Sequence, residues 1–159
     1  MSAELPLVFD GHNDTVLSLM RTGRSFFEQS DEGHIDLPRA VAGGLGGGFF
    51  ALYILGQAMM KARQEAQARG EDPDEAIMKF AQAFADEANW PEPMDLDYAQ
   101  NMALSMLGTL IRIERLSEGK VRVVRTATEL QECLDNHLFA MLLHFEGAEP
   151  LDEEGLALE

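Results

Sequence analysis

Short apolar runs alternate along the chain with longer stretches in which apolar residues recur every three or four positions. The runs are residues 5–9 (LPLVF), 49–55 (FFALYIL), 121–124 (VRVV) and 138–145 (LFAMLLHF). Runs this short, apolar with little polar alternation, predict strands buried on both faces, as in parallel sheets. Between them the pattern is helical. Residues 15–20 form a short helix, and Asp36-Leu37-Pro38 opens another, with Asp as N-cap and Pro in the first turn. Residues 57–69 are helical in composition, and Asp72-Pro73 caps a helix reaching about Ala88. After the break at Trp90-Pro91-Glu92-Pro93, residues 96–116 carry Ala99, Met102, Ala103, Met106, Leu110 and Ile113 on one face. Thr126 and Glu129 fit a capping box that opens a helix to about Asn136. Strands alternating with helices predict an α/β fold, a parallel sheet with helical crossovers.

In such folds chemistry collects where strands end. Two predicted strand ends carry ionisable clusters: His12 and Asp14 after the first, His144 and Glu146 at the last. In extended chain, residues two apart share a side. His12 nitrogen and Asp14 oxygen would then converge, and both suit zinc. His-x-Asp alone is weak evidence, and the bland alternative has Asp14 capping the next helix with His12 hydrogen-bonded nearby. Glu146 follows an apolar strand, where burial is costly without a cation; a solvated strand-end glutamate is the competing reading. His144 should face the same way, and by itself reads as a satisfied core histidine. No residue is assigned a catalytic acid, base or nucleophile role, because no Ser-His-Asp or Cys-His set can be argued from order alone.

The glycines at 43–48 fit no phosphate-binding frame, since they follow a helix and precede a strand. A helix C-cap followed by close packing is the better reading. Met59, Met60, Met78, Met102 and Met106 read as core, and the Asp152-Glu153-Glu154 cluster as solvated.

Composition narrows the partners. With 12 Lys+Arg against 28 Asp+Glu, the formal net charge is −16. So acidic a surface repels phosphate backbones and anionic lipid, which argues against nucleic acid and membrane partners. The lone Cys133 forms no internal disulfide and no Cys-rich zinc module. Residues 1–10 lack the basic and apolar regions of a secretory signal, and no run approaches the roughly 20 residues that span a bilayer. The expectation is a cytoplasmic soluble protein.

Three stretches taken together carry a resemblance: FDGHND (9–14), HIDLPRAVAGGLGGGFFALYI (34–54) and LLHFEGAEPL (142–151). In order and spacing they resemble the membrane (renal) dipeptidase family, metallopeptidase M19. The likeness spans nearly the whole chain and is weakest over residues 57–120. It implies a (β/α)8 TIM-type barrel of the metal-dependent hydrolase kind, with two zinc ions. His12 and Asp14 would bind the first Zn2+, and Glu146 would bridge both. The reaction implied is hydrolysis of a dipeptide by a hydroxide held between the metals, and some members accept a D-residue at the C-terminal position. Glu149 departs from the pattern, standing where relatives often carry histidine.

The family's further ligands are two histidines on later strands and an acidic residue that handles protons. Those motifs are not found in these 159 residues, and a complete barrel takes roughly 250. The expectation is that residues 1–159 are a partial barrel domain, its N-terminal portion without the C-terminal strands. Open sheet edges would then call for a homo-oligomer or the missing C-terminal portion as partner. Two alternatives stand beside the dipeptidase: another metal-dependent amidohydrolase, against which His-x-Asp rather than His-x-His counts, and a non-catalytic fragment or binding protein of the same fold.

Overall fold

The computed structural model describes residues 7–83 and 92–152. They divide into two compact units, one within Met1–Tyr53 and Asn101–Ala148, the other within Ile54–Gln100 and Glu149–Glu159.

The first unit holds a sheet of four strands: β1 (Val8–Asn13), β2 (Leu45–Tyr53), β3 (Val121–Val124) and β4 (Phe139–Glu146). Their order is β1-β2-β4-β3, and every pairing is parallel. The strands carrying the three long apolar runs are therefore parallel neighbours, but the first is not buried on both faces: Leu7 and Val8 are each 51% exposed at the sheet edge. Phe50, Leu52 and Met141 are fully buried, and the Phe139 ring packs on both Phe26 and Phe50 at about 6 Å between centroids. Near the edge strand β3, Val124, Cys133 and Ala140 form a buried cluster with Phe9, Leu130, Leu138 and Leu142 against it.

Helix α1 (Thr15–Thr22) ends on Gly23 in the left-handed conformation, φ 69°. Helix α2 (Leu37–Ala42) starts as the sequence dictates. Asp36 Oδ1 accepts from Arg39 N at 3.0 Å, and Pro38 sits in the first turn. Of the long helix α5 (Leu96–Leu116), Ala103, Met106, Leu110 and Ile113 in this unit are buried, following the predicted stripe. Helix α6 (Ala127–Asp135) is capped by Thr126, which accepts from Glu129 N. Glu129 reaches back one residue further than a capping box requires, accepting from Arg125 N at 2.7 Å.

The second unit contains α3 (Gln57–Ala68), α4 (Pro73–Ala83) and the first residues of α5. An Arg63–Asp74 ion pair links α3 to α4, and the Tyr98 hydroxyl donates to Leu55 O at 2.9 Å.

Several expectations change. β1 runs over residues 8–13 rather than 5–9, so the strand extends through the polar His12-Asn13; residues 5 and 6 lie outside the described residues. One side-chain hydrogen bond crosses to β2 there, from Asn13 Nδ2 to Phe49 O, beside the backbone pairing of Asn13 with Phe50. β2 starts at Leu45, so Gly46–Gly48 belong to the strand. A Cβ on Gly47 would lie 2.1 Å from Ala140 O, and one on Gly48 would lie 2.8 Å from Asp10 Cβ. These glycines let the neighbouring strands close on β2. Met106 is buried, but Met78 is 60% exposed, so its place on an apolar helix face did not make it core. The expected end of α4 near Ala88, the turn at Trp90-Pro91 and the acids Glu153-Glu154 lie outside the described residues.

Candidate metal centre

Three ionisable side chains meet at the C-terminal ends of β1 and β4. His12 is the penultimate residue of β1, Asp14 follows that strand, and Glu146 closes β4. One donor atom from each lies within 4.8 Å of the other two. His12 Nε2 is 3.3 Å from Glu146 Oε2 and 3.9 Å from Asp14 Oδ1. The strands that bring them together are not adjacent, since β2 lies between.

The convergence of His12 with Asp14 has a different origin from simple strand alternation. Asp14 occupies the N-cap position of α1 with φ −96° and ψ 29°, outside the extended region. β1 also carries one extra residue here. Asp10 pairs with Gly48 and Asn13 with Phe50, so three steps on β1 match two on β2. Such a bulge redirects side chains at a strand end.

The donor atoms have the character of a cation site. Although Asp14 sits at an N-cap position, its side chain makes no capping hydrogen bond. Its carboxylate is therefore not used for the role offered as the bland alternative. The Glu146 side chain is 41% exposed, yet its Oε2 is shielded from solvent and accepts no hydrogen bond. His12 Nε2 approaches that oxygen without hydrogen-bond geometry. A shielded carboxylate oxygen without a donor is costly unless a cation meets it. One imidazole nitrogen and two carboxylates are a ligand set that suits zinc, and the residues present fit the metal.

His144 is half-buried rather than a core residue. Its ring meets His12 edge-on at 5.6 Å and Phe49 edge-on at 6.2 Å. A cleft of about 360 Å3 opens beside the cluster, lined by Asp10, His12, Asn13, Asp14, Arg24 and His34 among others. Arg24 and His34 come from residues 21–35, which are polar and irregular in sequence. Arg24 donates to Ile35 O at 2.7 Å, while its Nε and Nη1 are shielded and unpartnered. Burial lowers the Arg24 guanidinium below its ordinary value, with Asp36 opposing.

The membrane dipeptidase model (peptidase family M19) matches residues 2–159. This chain belongs to the membrane dipeptidase family. Two solved M19-like structures share the fold. One is of the dipeptidase AC, a metallopeptidase of family M19, 31% identical with a TM-score of 0.68 over 96% of this chain and 40% of that one. The other is a metallopeptidase from Rhodobacter sphaeroides bound to a phosphinate mimic of the dipeptide L-Ala-D-Ala, 30% identical with a TM-score of 0.73 over 96% and 41%. An uncharacterised protein in the PQQ-III 3′ region of Acinetobacter calcoaceticus is 23% identical over 92% of this chain and 42% of its own length. The chain thus spans about 40% of these relatives and corresponds to the N-terminal portion of a membrane dipeptidase. Its all-parallel sheet with helical connections is the architecture of the first part of a (β/α)8 barrel, with β1, β2 and β4 as successive neighbours and the short β3 outside them at the edge. Among the described residues no helix is long and apolar enough to cross a membrane.

Proposed function

We propose that these residues supply the N-terminal half of the metal centre of a zinc-dependent dipeptidase, as part of one larger barrel domain. The observation that carries this reading is the meeting of His12, Asp14 and Glu146 from separate strand ends, with Glu146 Oε2 shielded and without a donor. In this reading His12 and Asp14 would hold the first of two zinc ions, and Glu146 would be shared with the second. The remaining ligands come from the rest of the domain. The substrate class is a dipeptide. The phosphinate bound to the Rhodobacter relative mimics L-Ala-D-Ala, which makes that dipeptide the first to assay.

Zinc in such a site supplies Lewis acidity, polarising the carbonyl and making water nucleophilic near neutral pH. The chain's own residues set the stage for that chemistry. His12 offers an imidazole nitrogen as a ligand atom. Asp14 and Glu146 bring two negative charges that offset the charge of the cations. Glu146 closes β4, and its Oε2 lies 3.3 Å from His12 Nε2. The adjacent cleft gives a dipeptide access to the cluster.

The test pairs metal analysis with hydrolysis of L-Ala-D-Ala by the whole protein, wild type and Glu146→Gln. The amide cannot bridge two cations, so the variant should lose one metal before the other and lose hydrolysis, with its circular dichroism unchanged. Equal zinc content and equal turnover would show that Glu146 is only a solvated strand end.

A further inference from the structure

Asn13 lies between two of the three cluster residues, yet no ligand role falls to it. Its side chain uses most of its hydrogen-bonding capacity at one place. Nδ2 donates to Asp10 Oδ2 at 2.8 Å and to Phe49 O of β2 at 3.1 Å. Its Oδ1 accepts from Thr15 N, the first residue of α1, at 3.2 Å. One amide thus ties together the start of the bulge, the neighbouring strand and the helix that begins after Asp14. Strand alternation alone cannot aim His12 and Asp14 at one point, because the bulge and the helix start break the alternation. Gly48 completes the arrangement. A Cβ there would lie 2.8 Å from Asp10 Cβ and 3.3 Å from Asn13 Nδ2.

We infer that Asn13 is a positioning residue for the metal centre. Its amide fixes the bulged end of β1 so that His12 and Asp14 face Glu146 before any metal arrives. This inference rests on the proposed metal centre and adds a residue to it. Partners that orient metal ligands typically govern metal affinity by about 10- to 100-fold.

The experiment titrates cobalt(II) into metal-stripped protein and follows its visible absorption, for wild type, Asn13→Ala, Asn13→Asp and Glu146→Gln. Thr126→Ala, which removes the α6 cap away from the cluster, serves as a purely structural control. Asn13→Ala and Asn13→Asp should weaken cobalt binding at least tenfold and alter the band shape. Thr126→Ala should lower the unfolding midpoint with unchanged cobalt affinity. The double variant Asp10→Asn/Asn13→Asp restores one hydrogen bond with donor and acceptor exchanged, and should recover part of the lost affinity. Should Asn13→Ala not fold, Asp10→Ala removes an acceptor of the same amide and is read in its place. Asn13 variants that bind cobalt within twofold of wild type at both equivalents, while Glu146→Gln has lost one equivalent, would overturn the inference and leave the metal centre standing. Wild type and Glu146→Gln binding cobalt equally would overturn the metal centre and the inference with it.

Discussion

Replacing Asp36 by alanine tests how the segment between the first two strands is held. Asp36 is fully buried, and its carboxylate accepts three hydrogen bonds: from Arg39 N at 3.0 Å, Arg39 Nε at 2.6 Å and Ser30 N at 3.3 Å. Losing the helix cap costs about 1 kcal/mol. Losing the charge-assisted bond to the guanidinium costs about 1.5–3 kcal/mol more. Part of that is recovered, because the Arg39 side chain is 32% exposed and keeps its bond to Gly33 O. The expected net loss is about 3 kcal/mol for Asp36→Ala. Asp36→Asn retains a good capping acceptor and should lose about half as much. Burial by itself would raise the Asp36 carboxyl, but the hydrogen bonds from Arg39 and Ser30 outweigh it and hold it below its ordinary value. A depressed carboxylate stabilises the fold above its unfolded pKa, about 3.9, and that contribution fades as pH falls through the folded value. Urea unfolding of metal-stripped protein should therefore show a constant gap between wild type and Asp36→Asn at neutral pH, narrowing in acid. An Asp36→Ala chain within 0.5 kcal/mol of wild type, or a gap independent of pH down to about 3, would refute the reasoning.

Two further outcomes follow from the packing. Gly47→Ala places a Cβ 2.1 Å from Ala140 O, so β2 and β4 must separate; a loss above about 3 kcal/mol is expected. Gly46→Ala meets only the flexible end of Leu7 and should cost under about 1 kcal/mol, so equal denaturation midpoints for the two variants would contradict the strand packing. Cys133 is fully buried, and burial pushes its thiol above the ordinary value. A disulfide reagent should label it only as fast as the protein opens, and complete labelling of folded protein within seconds would count against that burial.

The sequence carries the α/β order well because its strands are apolar on both faces and its helices have strong caps. Asp36, Thr126 and the α5 stripe are signals read over a few residues. The ligand residues are legible for a mixed reason: His12, Asp14 and Glu146 stand at strand ends, but their convergence depends on strand order. That order, with β4 inserted between β2 and β3, leaves no local trace. The polar end of β1 is equally hidden, since the apolar run stops at Phe9 while the Asn13 amide bonds to Asp10 and to Phe49 O of β2. Arg24 and His34 reach the cleft from a segment without periodicity, where only tertiary placement reveals a role.

The strand order also bears on how the chain assembles. β4 is the last of the four strands to be made; β3 depends on it for pairing, and β2 depends on it to pair its second edge. Until it emerges, the β1–β2 pair and β3 have no direct link through the sheet. The residues that β4 pairs with on β2 lie roughly ninety positions earlier, a separation that slows folding through the entropy of closing so long a loop. On a ribosome the glycine-lined edge of β2 would therefore stay unpaired for most of the synthesis of these residues, an interval in which chaperone capture competes with wrong strand pairing.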